Sequence, residues 1–223
     1  MAKSPIYVFE AKLKESSVEN VRKFSMVASS TKNLADLAYL LLAAYNLGGD
    51  HLFGFRGELS ERTKTLIADI LKSPFSREED VNDLTYFNGE PKDYTDFYLP
   101  NPYDDFSHNP LISESVFESK LVHVLRELGQ KLEFTYDFGD DWDFEVTLTE
   151  IITDEKLNRR LYPKLISGNG FDLEEDMGGV SGLEEAIEQG ELLPFDMEMA
   201  QLRFRSHARW LKWVYEEQDD TDA

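Results

Sequence analysis

The sequence predicts an α+β fold, a mixed or antiparallel sheet packed by helices, and three observations carry that reading. Apolar and polar residues alternate with period two around 5–14 and again over 132–148. Apolar residues recur at helical spacing over 34–44 and 117–128. Between these blocks, residues 71–110 carry Pro74, Pro91, Pro100, Pro102 and Pro110 with nine acidic residues against three basic ones, which suits a loop-rich insertion.

In chain order, Tyr7, Phe9, Ala11 and Leu13 alternate with Glu10, Lys12 and Lys14 as in a half-buried strand, and Arg22–Val27 predicts its hairpin partner. Ser29, Ser30 and Thr31 offer hydroxyl caps to a helix over 33–46, whose leucines cover most of its circumference, so it should pack centrally. Gly48 and Gly49 end it, and 51–55 reads as a short strand. Leu66, Ile67, Ile70 and Leu71 place a further helix over 60–72. The insertion follows; its many aromatics argue against a plain flexible linker. Ser115 to Glu118 has the S-x-x-E form of a capping box, and Phe117, Leu121, Val124, Leu125 and Leu128 extend it into a helix over 114–128. Two strands over 131–151, joined at Gly139, form a second hairpin. A second capping box, Ser181 to Glu184, opens a short helix, and Asp196 starts the last one, docked by Leu202, Trp210, Trp213 and Val214. Residues 1–215 read as one domain and 216–223 as an acidic flexible tail.

The chain has 223 residues, 44 Asp and Glu against 23 Lys and Arg, and a formal charge of -21. Such a surface repels phosphate backbones, which makes direct nucleic-acid binding unfavourable and favours a protein partner with a basic surface. No cysteine is present, which excludes disulfides and thiolate metal sites. The first residues lack an apolar signal region and the longest apolar run is too short to span a bilayer, so a cytoplasmic location without a membrane is expected. No nucleophile elbow, phosphate-binding loop, dinucleotide fingerprint or zinc-protease helix motif occurs, so no catalytic residue is assigned and no cofactor follows.

Two acidic segments remain. On the second hairpin, Glu133 and Asp137 are expected to share a face with Asp143 and Glu145, and their repulsion asks for solvent, a basic partner or a cation. The second acidic field, 165–202, has no Lys or Arg and centres on Gly168–Gly170 and Glu174–Gly179, where glycines set turns. His51, beside Asp50 at a turn, is most simply a structural histidine. Basic and aromatic residues interleave over Arg203–Trp210, as in an amphipathic helix whose arginines neutralise acids elsewhere.

The run Tyr136-Asp137-Phe138-Gly139-Asp140-Asp141-Trp142 resembles the Y-D-F-G-D-x-W signature of the plasmid pRiA4b ORF-3-like family. His51 to Phe55 resembles that family's H-L-x-x-F strand, and Glu175-Asp176-Met177-Gly178-Gly179 with Gly182 its E-D-x-G-G-x-x-G element. The chain departs from the pattern at Phe144, where the family usually has His, at Leu173 and Glu174, where it has prolines, and at Met177, often Cys. The resemblance implies a widespread bacterial and archaeal family, partly carried on mobile elements, whose biochemical role is largely unassigned. It makes Tyr136, Asp137, Gly139, Asp140, Asp141 and Trp142, with His51, Phe55, Glu175, Asp176, Gly178 and Gly179, the expected binding residues. The first functional expectation is a non-catalytic interaction module. The alternatives are a metal-dependent enzyme using Asp137, Asp140, Asp141 and Asp176, and an acidic mimic of DNA.

Overall fold

A computed structural model describes residues 3–59, 94–100 and 113–216, together with 64, 65, 68, 69, 72 and the backbone of 86, 87, 90 and 91. The strands are β1 (Ile6–Leu13), β2 (Val21–Val27), β3 (Phe53–Glu58), β4 (Tyr86–Phe87), β5 (Glu90–Pro91), β6 (Tyr94–Tyr98), β7 (Ser113–Ser115), β8 (Lys131–Tyr136), β9 (Trp142–Ile152) and β10 (Lys164–Gly168). The helices are α1 (Leu34–Tyr45), α2 (Leu121–Val124), α3 (Gly179–Gln189) and α4 (Met197–Glu216). Eight strands form one sheet in the order β10-β2-β1-β9-β8-β3-β6-β7, antiparallel except for the β6–β7 pair. The expected α+β class and mixed sheet are what the chain builds. Both expected hairpins, β1–β2 and β8–β9, lie in this sheet, and β1 pairs with β9 to join them.

All twelve residues of α1 are buried, because the helix is enclosed by the sheet on one side and α4 on the other. Phe24 of β2 meets Phe204 of α4 at 6.1 Å, Tyr45 of α1 meets Phe144 of β9 at 4.6 Å, and Tyr39 stacks on Tyr215 at 5.7 Å. A helix apolar at every position but Asp36 in its first turn suits such an enclosed place.

Several local expectations are corrected. The cap of α1 is Asn33, not the preceding hydroxyls: Asp36 N–H donates to Asn33 Oδ1 and Asn33 N–H donates to Asp36 Oδ2, a reciprocal box. Asn33→Ala should therefore lower stability by about 1 kcal/mol in urea unfolding; no measurable change would mean that Lys32 and Lys212, both ion-paired with Asp36, hold this end alone. The helix expected over 114–128 is one turn long. Val116 N–H donates to Tyr98 O and Leu121 N–H to Lys32 O, while the Gln130 side chain accepts from the Arg126 and Glu127 amides. The bonds to Tyr98 and Lys32 are remote in sequence and those to Gln130 are local, and together they hold the segment in a non-helical course on either side of α2. Ser181 lies inside α3, which starts at Gly179, and Glu184 accepts from Ser17 instead of closing a box. On α4 the docked stripe is Ala200, Phe204, Ala208 and Leu211, while Leu202, Trp210 and Trp213 are exposed. Asp196 does cap that helix, through Met199 N–H at 2.9 Å.

Residues 64, 65, 68, 69 and 72 are helical, and the remainder of the helix expected over 60–72 lies outside the described residues. So does most of 71–110, except that Tyr94–Tyr98 is a strand of the main sheet and not part of a detached loop. No helix among the described residues is long and apolar enough to cross a membrane.

Candidate metal centre

Three segments meet beyond the end of the β8–β9 hairpin: the turn after α1, the hairpin turn 137–141 and the loop leading into α3. Asn46, left-handed at φ 69°, ends α1 and sends Leu47 into the core. Leu173 N–H donates to Tyr45 O, which ties the α3 loop to the same helix end. Asp140 Oδ2 accepts from Gly178 N–H at 3.0 Å and joins that loop to the hairpin turn.

Two glycines set the closeness of these junctions. A Cβ on Gly179 would overlap the Asp140 carbonyl oxygen, and one on Gly182 would overlap the Met177 carbonyl oxygen. Gly179 also has φ 64°, a conformation that favours glycine.

The hairpin turn is built on Asp137 and Asp141, left-handed at φ 54° and 51°. Asp tolerates this region better than most residues because its short side chain bonds the local backbone. Asp137 does so: its Oδ1 accepts from Gly139 N–H at 3.0 Å, and its backbone carbonyl accepts from Asp141 N–H at 2.7 Å. The side chain is thereby drawn off the strand face expected for it and buried against His51. On that face Glu133 is paired with Lys14, Glu145 with Lys131, and Asp143 accepts from the Thr135 hydroxyl, so the anticipated repulsion has local answers.

His51 Nε2 lies 3.3 Å from Asp176 Oδ1, 3.5 Å from Asp137 Oδ2 and 3.8 Å from Glu175 Oε2. This nitrogen is buried and has no hydrogen-bond partner among the described residues. One ligand atom each from His51, Asp137 and Asp176 fall within 4.8 Å of one another. Asp137 is buried, His51 partly so, and Asp176 is 80% exposed, which leaves one side of the cluster open to solvent.

Tyr136 organises the remaining member. Its hydroxyl donates to Glu175 Oε1 at 2.8 Å and accepts from the Gly49 and Asp50 amides at 3.1 and 3.0 Å. Burial, with Tyr215 and Glu175 adding to it, raises the Tyr136 pKa far above that of an ordinary phenol, so the group remains a donor. Glu175 Oε1 also accepts from Gly48 N–H. Tyr215 of α4 donates to the His51 carbonyl at 2.5 Å and fixes that backbone.

Of the residues singled out from sequence, His51, Tyr136, Asp137, Glu175 and Asp176 come together. Gly139, Asp140, Gly178 and Gly179 shape the turns that carry them. Asp141 is exposed and offers only its amide and its turn conformation. Phe55 and Trp142 are core residues, 3% and 0% exposed. From the residues alone His51 reads as structural, the family resemblance makes it a binding residue, and the expected carboxylate set joins Asp137 and Asp176 with Asp140 and Asp141. His51 stands far along the chain from both aspartates, so no motif spacing links them. Phe144, at the position of the family's histidine, packs on Tyr45 and Phe134.

A family model described as Plasmid pRiA4b ORF-3-like protein matches residues 5–221. Curated proteins provide no match. Among solved structures, the crystal structure of MM3350, a protein of unknown function from Methanosarcina mazei Go1, is similar with a TM-score of 0.57 and 18% identity, over 93% of this chain and 90% of that one. That likeness is one of fold.

Proposed function

The chain belongs to the plasmid pRiA4b ORF-3-like family, and from that premise we propose that it is a divalent-metal-binding protein whose ion is held by His51 Nε2, Asp137 Oδ2 and Asp176 Oδ1. The observation that carries this reading is the buried, unpartnered His51 nitrogen facing three carboxylates.

The separations favour a shared ion over hydrogen bonds. Ligands about 2.1 Å from a tetrahedral metal stand roughly 3.4 Å from each other; His51 Nε2 stands 3.3 Å from Asp176 Oδ1 and 3.5 Å from Asp137 Oδ2, and the three ligand atoms lie within 4.8 Å of one another. Among the described residues no Lys or Arg pairs with Asp137, Glu175 or Asp176. The imidazole nitrogen favours Zn²⁺ or Mn²⁺ over Ca²⁺ and Mg²⁺. Glu175, held by Tyr136 and the Gly48 amide, completes the negative field around the ion. The exposed Asp176 side leaves a coordination position for water, the arrangement in which a metal lowers the pKa of that water.

An acidic docking face for a basic partner has less behind it, since Asp140 and Glu175 are engaged in internal hydrogen bonds. Glu174, Asp141 and Asp176 are exposed there, and Asp176 is one of the three ligands.

The test is a thermal-shift series with Zn²⁺, Mn²⁺, Mg²⁺ and Ca²⁺ after chelator treatment. A metal at a hundredfold excess over its Kd should raise Tm by about 5–10 °C. His51→Ala and Asp137→Asn should abolish the rise, and Asp141→Asn should keep it. A flat response to all four ions, or a shift that survives His51→Ala, would reject the site.

A further inference from the structure

A second cluster of charge lies in a cleft of about 340 Å³ bordered by α1, α4 and residues 160–163. Five cations converge on it: Lys32, Arg160, Arg205, Arg209 and Lys212. Asp36 is the one acid in its lining. It pairs with Lys32 at 2.6 Å and with Lys212 at 3.4 Å, and Lys212 also meets Glu216 at 3.1 Å. The arginines are answered less fully. Arg205 gives its Nε–H to the Pro163 carbonyl at 2.7 Å, a neutral acceptor. Arg160 and Arg209 have no ion pair among the described residues, and both are exposed. In a chain with 44 acids and 23 bases, chance would put carboxylates beside unpaired arginines.

The walls between the cations are apolar: Met26, Leu40, Tyr162 and Ala208. The volume sits near the low end of the ~300–1,000 Å³ typical of small-molecule sites. Arginine forks suit the oxygens of phosphate in particular, and a concave wall of one sign concentrates its field on the space it encloses.

We propose that this cleft binds a small organic phosphate, with Arg160, Arg205 and Arg209 on the phosphoryl oxygens and the ligand's apolar body against Met26, Leu40 and Tyr162. The site is independent of the metal centre and uses none of its residues. A nucleic-acid strand is a poor fit, since the chain's net charge of -21 repels a long polyanion.

The experiment is isothermal titration of the full chain, with chelator present, using phenyl phosphate as probe and inorganic phosphate and phenol as its two halves. Phenyl phosphate should saturate one site and bind at least about tenfold tighter than inorganic phosphate, from burial of the ring. Arg160→Gln with Arg209→Gln should weaken it about a hundredfold, roughly tenfold for each lost charge-assisted contact. Both side chains are exposed, so the double variant should retain its Tm, and Asp137→Asn should bind the probe as wild type does. The proposal is overturned if phenyl phosphate gives no saturable heat, if the double variant binds it equally well, or if the heat disappears in Asp137→Asn.

Discussion

Arg22→Met should cost about 3–5 kcal/mol of stability, the range for breaking up a buried charged network, and lower Tm by roughly 6–20 °C. Arg22 is the second largest fully buried side chain in the protein and joins four parts of it. Its Nε–H donates to Ala44 O at the C-terminal end of α1, at 3.0 Å, where carbonyls have no helical partner. Its terminal nitrogens donate to Asn20 Oδ1, Asn169 O and Phe171 O and meet Asp172 at 3.3 Å. The guanidinium lies 3.8 Å over Phe195 and 4.8 Å over Tyr45. Methionine fills the volume and satisfies none of the carbonyls, so the loss comes from buried acceptors left without donors. Arg22→Lys should recover little of it, because a point charge cannot reach a fork of acceptors. Chemical unfolding of the three proteins decides the matter; a methionine variant within about 1 kcal/mol of wild type would mean that water replaces the guanidinium at low cost.

Gly182→Ala is expected to act against helix propensity. In the interior of an ordinary helix this change stabilises by about 1 kcal/mol. Here the new methyl group would overlap the Met177 carbonyl oxygen, and overpacking of that kind costs about 1–3 kcal/mol. The more telling effect is local: the displaced segment carries Glu175 and Asp176, so the metal-induced Tm rise should fall to baseline even if the fold survives. Stabilisation by alanine with an intact metal response would show that the loop yields without disturbing the cluster. The glycine spacing of the E-D-x-G-G-x-x-G element thus has a steric origin at two of its positions, Gly179 and Gly182.

The hairpins were legible because alternation survives wherever one sheet face is buried, as at Leu132, Phe134, Tyr136, Phe144, Val146 and Leu148. The 114–128 segment was not, since its helical stripe is real but its amides bond to Tyr98 and Lys32, partners remote in sequence. On α4 the large apolar residues drew attention from the smaller stripe Ala200, Phe204 and Ala208 that packs. The candidate site was legible in its segments and hidden in its geometry. Nothing in the order of residues says that left-handed Asp137 turns inward toward His51 while neighbouring Asp141 faces solvent.

The pairing of β1 with β9 sets an order on folding. Leu13 lies opposite Phe144 and Ile6 opposite Ile152, so the centre of the sheet is closed only after most of the chain has been made. The β1–β2 hairpin is local and can form early, but one edge of β1 then stays open, with apolar Phe9 and Ala11 beside unpaired amides. Long closures of this kind slow the rate-limiting step. During synthesis the N-terminal hairpin must therefore wait with a sticky edge for a strand that emerges late, and shielding that edge is what a chaperone would have to do for this protein.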